Sequence, residues 1–382
     1  MIFEINSKNK LMFSFGGKKK NALGLDISDV SLKLFEFEKN QSNFRVQAYS
    51  DEIIPKELIS ADSIKDPKGL TRLIKKAISM PKFGKVTTPY VVASIPETKC
   101  FVRVIQMPAV SMDEAKEAIP WEAEAYIPMP IGQVYLDWVV LPSHSVPGAL
   151  GQQDKMTVLI TAAPKDYVDD FTRILKEAQL QPIALEIESQ ATARSLVSRL
   201  EETVLILDIN TLRTSFIVYD EDTLQFTSSI PIAGNVFTES VAKALGINSD
   251  EAEKIKRKNG LDESKDNGAV KRALSPVFNN LVSEVKNIIR FYEEHSTATS
   301  KVSRILLSGG SSKLKHLPSF LAEKLAQDTG GDHPLRSLPG IKVELGNPWV
   351  KVLKKRQVPP LSREDSLSYA TAIGLALREE DR

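Results

Sequence analysis

Apolar residues recur along the chain with two periods. Residues 22–27 form a short apolar run interrupted only by Asp26, and in 31–37 Leu32, Leu34 and Phe35 are interleaved with Ser31, Lys33 and Glu36. This pattern predicts strand, tight turn, strand. Leu70, Leu73, Ile74 and Ala77 then follow helical spacing across 67–78, and Pro81, Gly84 and Pro89 break the pattern at a junction. Residues 90–95 and 101–107 read as paired strands. Residues 112–125 read as a helix in which Ser111 is the N-cap and Glu114 completes a capping box. A strand at 134–141 leads into a surface turn, 142–154, that holds two prolines and two glycines.

From 156 onward strands and helices alternate: a strand at 156–163, a helix at 167–178, and a short strand running into a helix through 183–200. Residues 203–209, 214–220 and 224–230 read as a three-strand meander with turns at Asn210 and at 220–222. Helical periodicity resumes at Phe237. The Lys-, Asp-, Asn- and Gly-rich stretch 256–271 reads as a mobile turn, and 271–295 as one long helix. A strand at 304–307 runs into Ser308, Gly309, Gly310, Ser311 and Ser312, followed by helices at 317–326 and 369–378. The sequence strand, turn, strand, strand, helix thus occurs twice, from Leu23 and from Val204, each time with an aspartate at the first turn, Asp26 and Asp208. A duplicated architecture with a cleft between its halves is expected.

Composition narrows the function classes. A chain of 382 residues exceeds the common single-domain length of about 150, and 42% hydrophobic residues suffice for more than one core. Fifty basic residues against forty-nine acidic ones give a net charge of +1, so no global field attracts a nucleic acid. The single cysteine, Cys100, excludes an intrachain disulfide, and His144, His295, His316 and His333 are too scattered to announce a metal site. No apolar run approaches the roughly 18 residues of a membrane span, and the first residues lack a signal-peptide pattern. A soluble, cytoplasmic protein is expected. Residues 1–21 carry Lys8, Lys10, Lys18, Lys19 and Lys20 among Phe3, Phe13 and Phe15. They read as a flexible leader, with a weak membrane-surface tail as the less favoured reading.

The turns carry candidate chemistry. A tight turn between strands presents backbone N–H groups that can hold phosphate oxygens, and an aspartate at its head can hold a hydrated magnesium ion. Asp26 and Asp208 would then face each other across the cleft. Taken alone, each reads better as a turn-forming aspartate that caps its own backbone, and the glycine turn beside them shifts the balance. Gly309 and Gly310, between a strand and a helix, let backbone approach a ligand closely.

In this order the three turns resemble the phosphate 1, phosphate 2 and adenosine motifs of the actin-like ATPase superfamily. Residues 91–141, VVASIPETKCFVRVIQMPAVSMDEAKEAIPWEAEAYIPMPIGQVYLDWVVL, resemble the inserted subdomain of the PilM family of type IV pilus assembly proteins. Arg103, Met107-Pro108, Trp121-Glu122-Ala123, Tyr126-Ile127-Pro128 and Asp137 carry that likeness, and TAAPKDYVDDFTRILKEAQLQPIALEIESQATARSL, EAEKIK, LLSGGSSKLKHLPSFLAEKLA and AIGLAL extend it over residues 23 to 377. The resemblance implies an α/β, actin-like (ribonuclease H-like, duplicated) two-domain fold with an inserted α+β subdomain, of the FtsA/PilM type. It implies subdomain 1A at 22–85, 156–200 and 360–382, an insertion 1C at 86–155, subdomain 2A at 201–235 and 301–359, and subdomain 2B at 236–300.

For the site, the resemblance implies ATP with Mg2+. Asp26 would order the metal near Ser31 and Lys33, and Asp208, Asn210, Thr211 and Thr214 would do similar work on the second hairpin, with Asp208 as a second metal residue. Gly234 would follow the meander, Glu253 and Lys256 would contact ribose and adenine, and Gly309, Gly310 and Ser311 would pass beneath the adenosine. Gly374 would mark a close helix crossing at a hinge. The implied partner is the N-terminal cytoplasmic peptide of the membrane protein PilN, extended and apolar, in a groove between the first subdomain and the insertion. Arg103, Met107 and Trp121 would surround it, although Trp121 reads equally well as core. Pilus motor ATPases are implied as further partners, and the location would be peripheral at the inner membrane through PilN.

Two departures bear on the nucleotide. After Asp-Ile the family has glycine, whereas this chain has Ser28, followed by Asp29, and Asn210. Asparagine tolerates left-handed backbone, but its side chain fills space a phosphate would use, and a carboxylate near a triphosphate is repelled by several kcal/mol at an effective dielectric of about 20. Weak or lost ATP binding is expected, with no catalytic base, since Glu186 and Glu188 read as surface carboxylates at a helix start. The alternative is an ATP-binding, slowly hydrolysing switch that regulates PilN or motor contacts.

Overall fold

The computed structural model describes residues 3–4, 21–40, 43–60, 63–141, 155–198, 202–220, 223–295, 301–327, 338, 340–353 and 358–378. The chain divides into two compact units. Residues 1–198, 348–361 and 369–382 form the first, and residues 199–347 and 362–368 form the second.

In the first unit, β1 (Leu23–Ile27), β2 (Ser31–Asn40) and β3 (Asn43–Ile53) make an antiparallel meander in which Asp26 lies opposite Lys33. After α1 (Pro67–Ser79), β4 (Tyr90–Ile95) lies parallel to β1. Residues 101–107 do not pair with it as expected. The 3-10 turn Glu97–Lys99 carries the chain to a different sheet, where β5 (Phe101–Pro108) pairs with a later strand. The helix α2 (Met112–Glu124) and β6 (Val134–Leu141) follow, then β7 (Lys155–Pro164), α3 (Lys165–Glu177), β8 (Gln181–Ile187) and α4 (Glu188–Leu196). β8 lies parallel to β4, so the sheet reads β8-β4-β1-β2-β3, with Phe3–Glu4 added antiparallel to β8 and Phe83–Gly84 at the far edge. Phe3–Glu4 lies within the stretch expected as a leader. Residues 5–20 and the turn 142–154 lie outside the described residues.

Both faces of this sheet are covered, which is why β1 is buried at all five positions. Leu25, Leu34, Leu70, Ile74, Phe171 and Leu175 fill one side. On the other, the helix Ala370–Ala376 packs on β1 and on α4. A Cβ at Gly24 would lie 2.1 Å from the Ala372 carbonyl oxygen, and one at Gly374 would lie 1.7 Å from that of Ala191, so only glycine permits both approaches.

The insertion is an antiparallel sheet, β6-β7-β5, with α2 packed on it through Ala115, Ile119 and Ala123. Ser111 and Glu114 form both halves of the expected capping box. β4, inside the range 86–155, belongs to the large sheet, whereas β7, all but its first residue outside that range, is the centre of the insertion's sheet.

The second unit repeats the topology. β9 (Thr203–Ile209), β10 (Thr214–Asp220) and β11 (Thr223–Ile230) form a meander. The helices α5 (Gly234–Leu245), α6 (Ser249–Asn259) and α7 (Ala269–His295) precede β12 (Val302–Ser308), α8 (Leu317–Ala326) and β13 (Lys342–Leu345). The order β13-β12-β9-β10-β11 matches β8-β4-β1-β2-β3, with parallel and antiparallel pairs in the same places. The turn expected over 256–271 starts later than its composition suggested, because α6 buries Lys256 and runs to Asn259 before Gly260 turns it at φ 57°. Among the described residues no helix is long and apolar enough to cross a membrane.

Candidate functional site

The two hairpins close in the same way. In the first, the Ser28 N–H donates to the Ser31 carbonyl at 2.9 Å; in the second, the Asn210 N–H donates to that of Arg213 at 3.0 Å. Neither Ser28 nor Asn210 has a positive φ. The left-handed conformation considered for Asn210 is therefore not used, and what the missing glycines change is the side chains that stand at the turns.

Around the first hairpin, Asp26, Ser31 and Lys33 come together as expected, joined by Ser28 and Ser94. Asp26 is buried, and its Oδ1 accepts from the Ser94 hydroxyl at 2.9 Å. Burial pushes its carboxyl above the usual range, opposed by the charge of Lys33 and by the Ser94 hydrogen bond. The Lys33 ammonium donates to Ser31 Oγ at 3.0 Å, and the Ser31 N–H donates to Ser28 Oγ at 3.2 Å. Hydroxyls, an ammonium and a buried carboxylate are groups that suit a phosphate with a hydrated cation. Ser94 escaped the sequence reading because β4 brings it in from 68 residues away; its signal was its place at the end of an apolar run, VVAS.

The second unit gathers Asp208, Asn210, Thr211, Thr214, Gly234, Glu253, Lys256, Gly309, Gly310 and Ser311 from four elements. Asp208 is buried, and its Oδ2 accepts from the Asn210 side-chain amide at 2.6 Å. The Asn210 carbonyl accepts from the Gly234 N–H and from the Ser311 hydroxyl, both at 3.0 Å. The Thr211 carbonyl accepts from the Asn235 N–H, and the Thr214 hydroxyl donates to the Ile232 carbonyl. Gly309 adopts φ 84°, where a Cβ would lie 2.4 Å from the Ile209 carbonyl oxygen, and a Cβ at Gly234 would lie 2.4 Å from Ser311 Oγ. Gly310 has open space at that position.

Glu253 and Lys256, one turn apart on α6, form an ion pair at 2.6 Å. The Lys256 ammonium also donates to the Gly234 carbonyl at 3.0 Å and to the Thr238 hydroxyl at 2.8 Å. Thr238, missed in the sequence, lies on α5 one turn past Gly234, and its hydroxyl reaches both the Gly234 carbonyl and Glu253. Burial alone would raise the Glu253 carboxyl, but hydrogen bonds from Lys256, Thr238 and Arg257 outweigh it and hold the pKa down at about 2. Burial lowers the Lys256 pKa, with Glu253 opposing.

On the insertion, Arg103 is exposed and lies over the Tyr126 ring at 4.8 Å, and Trp121 is 77% exposed. Trp121 is not core. Met107 is, packed with Ile105, Ile119 and Met156. Glu186 is no surface carboxylate: it is buried in a bidentate pair with Arg194, whose guanidinium also donates to the Gly374 carbonyl at 3.0 Å. Both Glu186 oxygens are engaged by the guanidinium.

The two hairpins differ in their fit to Mg2+ with a nucleotide. The first offers the right donors. The second does not, since Asn210 already occupies Asp208. Among the described residues no three His, Cys, Asp or Glu side chains gather at one point to ligate a metal directly.

A family model described as "Type IV pilus assembly protein PilM" matches residues 24–380. Among solved structures, a PilM-PilN type IV pilus biogenesis complex is 27% identical over 95% of this chain and 99% of that chain, with a TM-score of 0.75. The ethanolamine utilization protein EutJ from Carboxydothermus hydrogenoformans is 16% identical over 93% of this chain and 89% of its own, with a TM-score of 0.53. MreB 5 of Spiroplasma citri, bound to AMPPNP, is 12% identical over 95% and 97%, with a TM-score of 0.50. The latter two bear on the fold alone, which is the actin-like one. With a duplicated sheet, a three-stranded insertion and a match from residue 24 to residue 380, the chain belongs to the PilM family of type IV pilus assembly proteins.

Proposed function

We propose that this PilM-family protein binds the N-terminal cytoplasmic peptide of PilN and so links the inner-membrane alignment subcomplex to the cytoplasmic machinery, with weak or lost ATP binding. The observation that carries the reading is the likeness, nearly end to end, to a protein solved as a PilM-PilN complex. The surface of the insertion supports it: an exposed tryptophan beside acidic helix positions, and an arginine stacked on a tyrosine, are residue types that anchor peptides. An extended apolar peptide would add backbone hydrogen bonds and side-chain pockets. Attachment through PilN gives the protein a place at the inner membrane, with no membrane-crossing helix among the described residues, and motor ATPases are its further candidate partners. The insertion would comprise residues 101–164, and the second unit a subdomain of 201–235 and 301–347 that carries 236–300. Removing the PilN N-terminal residues and measuring co-purification tests the docking; unchanged recovery overturns it.

The second reading is a nucleotide-driven switch. The first hairpin favours it, because Asp26, Ser31 and Lys33 remain together there. Calorimetry with ATP and magnesium decides, since a switch requires saturable heat and a scaffold does not.

A further inference from the structure

Asn210 is held at its N–H, its carbonyl and its side-chain NH2. Its N–H donates to the Arg213 carbonyl, its carbonyl accepts from the Gly234 N–H and the Ser311 hydroxyl, and its side-chain amide lies 2.6 Å from Asp208 Oδ2. An ionised carboxylate only accepts hydrogen bonds, so the amide nitrogen is the donor. The contact is charge-assisted, and Asp208 is buried, where a carboxylate oxygen without a donor is costly. A glycine at 210 would leave the same backbone bonds in place and remove the amide, because φ at this position is not left-handed. The side chain is thus the one part of residue 210 that the turn itself does not require.

The consequence reaches three elements. Through the Asn210 carbonyl the hairpin is tied to the first residue of α5 and to the 310–313 turn. Gly234 in turn accepts Lys256, which neutralises Glu253. The polar groups that a nucleotide and its cation would engage in this unit already satisfy one another.

We infer that the Asn210 amide is a built-in ligand of Asp208, standing where a hydrated cation would stand and satisfying that carboxylate without nucleotide, while the backbone carbonyl ties β9–β10 to α5 and the 310–313 turn. This rests on reading the second hairpin as a phosphate loop, but not on PilN docking, which co-purification scores separately. A cation approaching Asp208 must displace the amide, so the wild-type chain binds Mg·ATP at least tenfold more weakly than a chain without it.

Thermal melting of the full chain, in EDTA and in magnesium chloride with ATP, is the first readout, and calorimetric titration with Mg·ATP is the second. Wild type is expected to melt at the same temperature in both solutions. Asn210→Gly should melt lower in EDTA, recover with Mg·ATP, and bind it at least tenfold more tightly than wild type. Asn210→Asp sets two carboxylates side by side and should gain stability from magnesium chloride alone. A wild-type melt that rises by several degrees with Mg·ATP overturns the inference, as does an Asn210→Gly variant that binds no more tightly than wild type. Should Asn210→Gly fail to fold, the wild-type melt and the response of Asn210→Asp to magnesium still decide.

Discussion

At Glu253 three donors converge on one carboxylate, and the result can be titrated. Its pKa falls from 4.5 to about 2, so its stabilising effect is fully present above the unfolded value of 4.5 and is lost as pH falls through about 2. Glu253→Gln should therefore melt below wild type at neutral pH, by an amount worth about 1 kcal/mol given the partial exposure of the pair. The gap should close as pH drops from 4.5 towards 2. Asp26 has the opposite sign. Its folded pKa is raised, so ionisation costs stability as pH rises above the unfolded 3.8. Asp26→Asn keeps an acceptor for Ser94 and should raise the neutral-pH melting temperature, by about 1 kcal/mol of stability, with the gain shrinking in acid. At this scale the sequence revealed the residues that a backbone approach demands, Gly234 and Gly309. It did not reveal Ser94 or Thr238, which distant elements deliver, nor that the Asn210 amide would reach Asp208.

The elements are locked where α4 crosses the helix Ala370–Ala376. Gly374→Ala would drive a methyl into the Ala191 carbonyl, a backbone clash that no rotamer relieves, and should cost about 3 kcal/mol or prevent folding. Arg194→Met alone strands a buried Glu186 and should cost about 3–5 kcal/mol, whereas the double change with Glu186→Leu should recover much of it. Denaturant melts of the three variants test this, and equal loss in the single and double changes would contradict the pair's role. Apolar runs and polar–apolar alternation marked most of the strands but not the ranges of β3 or β13, and the serine and glutamate of the capping box marked the start of α2. Pairing was another matter. Adjacent strands 90–95 and 101–107 looked like a hairpin, yet β4 is claimed by β1 and β8, because a strand apolar at almost every position is most stable in the centre of a covered sheet.

For the whole molecule, the net charge is +1, and among the described residues no helix is long and apolar enough to cross a membrane. The duplicated strand order shows why a chain of this length forms two units, the first of which also carries the three-stranded sheet β6-β7-β5. If the insertion receives the PilN peptide, its exposed side chains must matter for binding while mattering little for folding. Trp121→Ala removes a ring that is 77% exposed, so the melting temperature should stay within about 0.5 kcal/mol of wild type while recovery of the PilN peptide falls. Met107→Ala is the opposite control: it opens a cavity between β5 and β7 and should cost about 2–5 kcal/mol whether or not peptide is present. Peptide pull-down and thermal melting on both variants separate the two roles. A Trp121→Ala protein that is as stable as wild type and recovers as much peptide would remove this face of the insertion from the docking surface, and the search would move to the exposed Arg103 and Tyr126 stack.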